Sequence, residues 1–444
     1  MGRRWGVVAC AGLLAGPSVL NAQGATDRCI FRIGHVDRTG AQIAVGPGML
    51  NYYAGGNVFL FCEGTRISMR SDSVASYGAS RTVDFVGHVV YTDSGTMVMR
   101  AEHGTYYRDG DRWEARGNVT TENLKTGSTM TGPSLDYYRQ ARGVRDTAEI
   151  YAVARPTIRY VAQDSTAKGR EPYVIVADRI RMKGDDRVWA AGKVTIDRSD
   201  FAARADSLRL DTGAGSDGTL IGNPMLRGIG KDSFNLTGRQ IDLRFDNQQL
   251  SFVTARGDGH AVTTAVDLRA DTIGLDIEQA KLVQTVAWGD SLKPDAASAD
   301  YRLRGDSMAF DTPGDKLTET RAFGSAWAGA KPDSADGERD WLAGDTLMAR
   351  FAEFDSSGTD RTVVRELEAR TNARSYYRLV TDRRPGPPSI SYVRGNRIVI
   401  RMQEDGAGVE RVDISGQVEG VQLDPAREEH DSTAADSAAA PVGQ

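Results

Sequence analysis

A short phrase recurs along this chain: two alternating apolar residues, a small residue, an acid, then two more alternating apolar residues. It occurs at Ile67 to Val74, at Phe201 to Leu210 and at Tyr301 to Phe310. With the acid as position zero, anchors fall at Asp72, Glu102, Asp178, Asp206, Asp271, Asp306 and Asp345, with weaker copies at Pro133, Arg239 and Asn396. Most intervals lie between 28 and 39 residues. A period in that range marks a repeat architecture, in which a unit buries its apolar face only by stacking on its neighbours.

Parity gives the phrase its geometry. Positions −5 and −3 are apolar (Ile67 and Met69, Met97 and Met99, Tyr173 and Ile175, Val266 and Leu268, Tyr301 and Leu303), and a spacing of two places them on one face of a strand. Beyond the acid the apolar positions are +2 and +4, as in Ile180 and Met182 or Leu208 and Leu210. From −3 to +2 is an odd step, so a flat strand would send its two halves to opposite faces. The chain is therefore expected to bulge or turn a corner at the acid, so that both halves face inward from two walls. The acid itself reads as a corner residue accepting backbone N–H bonds in an Asx-type turn, rather than as a catalytic group. A second phrase, Gly-x-Val or a near copy, lies between anchors at Gly87 to Val89, Gly117 to Val119 and Gly192 to Val194, and more loosely at Ile221 to Pro224, Phe323 to Ala326 and Ile414 to Val418. Glycine within a strand pattern marks a bulge or a close backbone approach. With helical periodicity nearly absent, the fold class is all-β: a repetitive antiparallel stack of units with about four short strands and two bends each.

The order and spacing of Gly87 to Glu102, Tyr106 and Tyr107, Ala115 to Val119, and Thr131 to Tyr138 resemble the OstA-like family, which includes the LptA-type periplasmic lipopolysaccharide-transport proteins and the N-terminal domain of LptD. The similarity is clearest from Asn57 to Tyr138, continues over Tyr173 to Phe310, and weakens from Leu317 to Leu423, where Asp345 to Phe351 and Gly395 to Arg401 keep the rhythm. The resemblance implies a β-jellyroll folded like a taco, with an open apolar groove that holds acyl chains and edges that stack on copies of itself or on other jellyroll transport components. About nine units at 4.7 to 4.9 Å per strand would give roughly 80–90 Å of stack. Shielding a methylene from water is worth about 0.8 kcal/mol, so such a groove needs no charged pocket. By matching position, the groove-lining set is Ile67, Met69, Met97, Met99, Tyr173, Ile175, Phe201, Phe234, Leu236, Val266, Leu268, Tyr301 and Leu303. For each of these, ordinary sandwich core is the competing reading. The methionines suit variable chains because thioethers are adaptable.

Basic residues at Arg3 and Arg4, an apolar core from Trp5 to Leu14 and small residues before Ala22 form a secretory signal pattern, giving residues 1–22 as a signal peptide and an expected periplasmic location, with possible association with the outer membrane. Cys29 and Cys62 then remain, and an oxidising compartment favours a disulfide between them. The expected divisions are a first jellyroll portion at 23–160, a linker or loop at 161–172, continued repeats at 173–424 and a disordered tail at 425–444, rich in Glu, Asp, Ser and Ala. The C-terminal part lacks the long run of alternating strands of an outer-membrane barrel, so a complete LptD-like translocon is not expected.

Enzyme chemistry finds little footing. The histidines, His35, His88, His103, His260 and His430, are scattered without metal-ligand spacing, and neither a Gly-x-Ser-x-Gly elbow nor a phosphate loop occurs. No cofactor, metal or catalytic residue is expected. A net charge of −5 excludes nucleic-acid binding by bulk positive charge. Only nine of the 55 basic residues are lysine, which reads as codon usage rather than as phosphate recognition. The paired tyrosines at 52–53, 106–107, 137–138 and 376–377 read as strand packing rather than sugar stacking. The functional expectation is a non-enzymatic carrier or bridge that shields the acyl chains of lipopolysaccharide or a related lipid on the way to the outer membrane. The alternative is a structural β-solenoid with a filled core that binds protein partners.

Overall fold

In the computed structural model, residues 29–424 are described apart from 94, 142, 162–170, 214–215, 230–233, 247–248, 331–339, 357–358, 380–387 and 407. The expected signal peptide and tail lie outside the described residues. The described residues form thirty β-strands and no α-helix, all in one antiparallel sheet.

The sheet is a meander of bent rungs. Fourteen strands run through the bend unbroken, and sixteen form eight pairs interrupted at it, such as Tyr173–Val176 with Arg179–Lys183. The result is 22 rungs, each hydrogen-bonded to the rungs before and after it. At about 4.8 Å per rung they add to roughly 100 Å of sheet. The segment 161–172 does not divide it, because the strands on either side, Thr157–Tyr160 and Tyr173–Val176, pair directly. The Cys29–Cys62 disulfide ties the start of the described chain to the end of the strand Met49–Cys62.

Each rung changes parity at its bend, as the odd step requires. In Met97–Tyr107 the buried positions are 97, 99 and 101, then 104 and 106. In Phe201–Asp211 they are 201, 203 and 205, then 208 and 210. The two halves of a rung thus present one continuous inner face from two walls. The first wall carries the half before each anchor, and the second wall the half after it.

The bend is a two-against-one bulge. Along Arg187–Asp197, Ala191 pairs with Ser207 and Val194 with Ala205, so Gly192 and Lys193 together face Asp206. Both bulge residues are left-handed, with φ of 82° at Gly192 and 47° at Lys193. The same pair of positive angles recurs at Gly56–Asn57, Gly87–His88, Gly117–Asn118, Gly222–Asn223, Gly257–Asp258, Gly324–Ser325 and Gly416–Gln417. Space explains why the first position is glycine. A Cβ on Gly192 would lie 2.4 Å from Oδ2 of Asp178, and one on Gly222 the same distance from Oδ2 of Asp206. Where the anchor is Pro133, with no side chain reaching across, the facing left-handed pair is Ala154–Arg155.

The anchors act across strands rather than within a local Asx turn. Asp72 Oδ2 is 2.8 Å from His88 Nδ1, Asn57 donates to Asp37 at 2.8 Å, Asn118 donates to Glu102, and Asn372 donates to both oxygens of Asp345. Only at Asp271 does the carboxylate take backbone amides, those of Ser291 and Leu292, about twenty residues away. At the weaker anchor Arg239 the charges are exchanged: its guanidinium donates to Asp258, the second bulge residue. Several anchor amides also donate to the facing glycine carbonyl, including Asp178 to Gly192 at 2.8 Å and Asp206 to Gly222 at 2.9 Å. Asp37 opposite Gly56–Asn57 is a further anchor, one interval before Asp72.

Placing Cβ at a left-handed position costs about 1–2 kcal/mol, and at Gly192 the carboxylate of Asp178 adds a clash. Gly110, at φ 85° with open space around it, carries only the conformational cost. In urea unfolding, Gly192→Ala is therefore expected to lose clearly more stability than Gly110→Ala. Equal losses would refute the carboxylate-against-glycine account of the bend.

Candidate functional site

The interior between the walls runs through most of the described chain, with the end strands Arg38–Gly46 and Glu419–Leu423 largely exposed. Of the expected lining residues, Ile67, Met69, Met97, Met99, Tyr173, Ile175, Phe201, Phe234, Leu236 and Leu268 are buried on the first wall. Val266 and Leu303 are half-buried and pack against the same core. Tyr301 differs. It is 45% exposed at the first position of its strand.

The second wall supplies the opposing row, which the expected lining set left out: Phe85, Tyr106, Trp113, Tyr137, Leu243 and Phe245 are all buried. Their signal was present in the sequence at the +2 and +4 positions and at the apolar residues preceding the Gly-x-Val phrase. Of the paired tyrosines at 106–107 and 137–138, the first member points inward, while the second lies outside under an arginine, Arg112 over Tyr107 and Arg145 over Tyr138.

The two rows meet. Ring centroids cross from wall to wall at 5.1 Å for Phe31 and Tyr106, 5.4 Å for Tyr91 and Trp113, 5.9 Å for Tyr91 and Tyr137, and 5.8 Å for Tyr173 and Phe245. Where the resemblance implies an open groove, these stretches are filled by the chain's own side chains. The contacts also show a skew: each first-wall residue meets a second-wall residue two to four rungs further along the chain. Sheet twist produces this, because right-handed twist on both sides of the bend fans the walls apart in direction.

Polar groups gather at the mouth, where the turns of the two walls approach, and near some bends, as at the buried Glu368, which takes hydrogen bonds from Arg370 and Arg397. Tyr106 donates to Asp111 at 2.7 Å, and Arg139 holds the other oxygen of Asp111 at 2.8 and 2.5 Å. Asn123, on the first wall, donates to Oδ1 of Asp185, on the second, at 2.6 Å. The Tyr160 hydroxyl lies 2.8 Å from the carbonyl of Asp185 and 2.6 Å from Oγ1 of Thr212. Deeper in, the buried indole N–H of Trp113 has no hydrogen-bond partner, an unusual state for a donor out of water. Among the described residues no cluster of three His, Cys, Asp or Glu side chains could hold a metal ion. His88, 91% exposed at its side chain, serves a bend.

No protein-family model matches the chain, and no curated protein matches it.

Burial pushes the phenols of Tyr91, Tyr106 and Tyr137 upward, and that of Tyr160 to about 12. In the unfolded chain each phenol ionises near 10. The folded state therefore holds protons that the unfolded state releases, and stability that is complete below pH 10 falls as pH rises further. Alkaline titration by phenolate absorbance is expected to show this group ionising together with unfolding, above the pH at which exposed tyrosines ionise. Ionisation near pH 10 with the fold intact would contradict the burial. Trp113→Ala, which empties the centre of the aromatic cluster, is expected to cost about 3–5 kcal/mol in denaturant unfolding.

Proposed function

We propose that the protein is a non-enzymatic lipid-binding bridge or carrier of the cell envelope, which sheathes the acyl chains of lipopolysaccharide or a related lipid between its two walls. The observation that carries this reading is the pair of facing apolar rows running through a single hydrogen-bonded meander of 22 rungs. A methylene chain laid along that interior meets apolar neighbours from rung to rung. The resemblance of Gly87 to Glu102 and Thr131 to Tyr138 to the OstA-like family supports the same reading, and the secretory pattern of residues 1–22 suits a periplasmic carrier.

Energetics make reversible loading plausible. The walls are joined covalently and by backbone hydrogen bonds at the bends, while away from the bends the halves meet through side chains. Parting them exposes apolar surface, and an inserted acyl chain covers it again at about 0.8 kcal/mol per methylene. The exchange is of apolar contact for apolar contact, which suits a carrier that must also release.

A second reading, a solenoid with a permanently filled core that serves as a scaffold, is favoured by the ring contacts between walls and by the near-complete burial of the lining. The two readings separate in one experiment. The secreted protein is purified gently from its own envelope for native mass spectrometry, and titrated separately with cis-parinaric acid, a fatty acid that fluoresces in apolar surroundings. A carrier is expected to retain lipid-sized adducts and to take up the probe saturably, with displacement by lipopolysaccharide. A chain that carries no adduct and leaves the probe dark would rule out the carrier and leave the scaffold.

A further inference from the structure

We propose that lipid enters the interior sideways, through the mouth at Asn123, Tyr160, Asp185 and Thr212, and that the hydrogen bonds joining these residues are a latch that keeps this entrance shut. The inference rests on the carrier reading and adds to it a place of entry and a gate.

The placement follows from the bends. Asn123 ends the strand Arg112–Asn123 and Tyr160 ends Thr157–Tyr160, and both lie beyond a left-handed pair, on the first wall. Asp185 lies in the turn after Arg179–Lys183, and Thr212 directly follows Phe201–Asp211, so both belong to the second wall. The bonds Asn123 to Asp185, Tyr160 to Asp185 and Tyr160 to Thr212 therefore span the mouth, the side of the molecule opposite the bends. They bind walls that otherwise meet there through apolar packing.

The chemistry of the latch suits a gate. Its donors are side chains, and the one backbone acceptor, the Asp185 carbonyl, lies in a turn, so breaking these contacts leaves the strand ladder intact. Tyr160 is itself buried, and its ring covers the interior behind the hydroxyl. A single rotation of Tyr160 about its side-chain bonds would both release two polar contacts and uncover apolar surface for an entering chain. Asn123 and Thr212 flank it from the two walls, so the polar atoms freed by opening face solvent, where water replaces the lost bonds at little cost. An acylated lipid, with its chains inside and its head group left in water, has the shape that such a side entrance admits.

The test uses the full chain and stopped-flow mixing with cis-parinaric acid. Tyr160→Phe keeps the ring and removes the hydroxyl; Asn123→Ala removes the other contact. Each variant is expected to take up probe several-fold faster than the unaltered protein, with the amount bound at saturation unchanged. Asn123→Cys combined with Asp185→Cys, joined by oxidation, is expected to slow uptake strongly and to recover on brief reduction, with the unaltered protein treated identically as control. Circular dichroism confirms that every variant is folded. Uptake at one common rate in all four proteins, cross-linked form included, would overturn the latch while leaving the carrier reading in place. Absence of uptake in every protein would overturn the carrier reading and the latch with it.

Discussion

The fold depends on one contact repeated along the spine: a residue with a reaching side chain on one rung against a left-handed two-residue bulge on the next. The bulge supplies the extra residue that switches parity, and without that switch half of each strand would turn its apolar side to water. The carboxylate fills the space where a side chain on the first bulge residue would stand, and at Asn57, His88, Asn118 and Asn372 it also binds the side chain of the second. Asn, Asp and His recur at that second position because they enter the positive-φ region at lower cost than most residues. The exposed ion pairs at these bends add little stability individually. Their main effect is to select one register, because only an aligned rung brings an acid opposite a glycine. The exchange of charge between Arg239 and Asp258 fits this account, since the pair preserves the contact while reversing its ends.

Much of this was legible in the sequence because the governing signal is arithmetic. The odd step from −3 to +2 required a bend, and glycine two residues before valine marked its partner. The disulfide between Cys29 and Cys62 was the favoured pairing because these are the two of the three cysteines that lie beyond residues 1–22. What escaped was pairing across space. The acid looked like a local turn because no sequence spacing shows that Asp72 stands opposite His88 on the neighbouring rung. Asp37 and Gly56–Asn57 form a full copy of the bend, but the strand halves around Asp37 are weakly apolar, so the anchor phrase does not appear there.

The interior was half legible for the same reason. The −5 and −3 positions fall on the first wall and are mostly buried, as strand alternation alone implies. Which residues oppose them depends on twist, and twist displaces the partner by two to four rungs. Tyr173 meets Phe245, some seventy residues later, and nothing in the repeat itself records that distance. Tyr301 has the right phase in the repeat, yet is 45% exposed, so phase alone does not fix burial.

Skew matters to the proposed carrier, because each first-wall strand crosses several second-wall strands and inner side chains there join rungs as well as walls. On the proposed carrier reading, a long flexible guest would move along such an interior by local openings that break side-chain contacts between the walls and leave the backbone ladder in place.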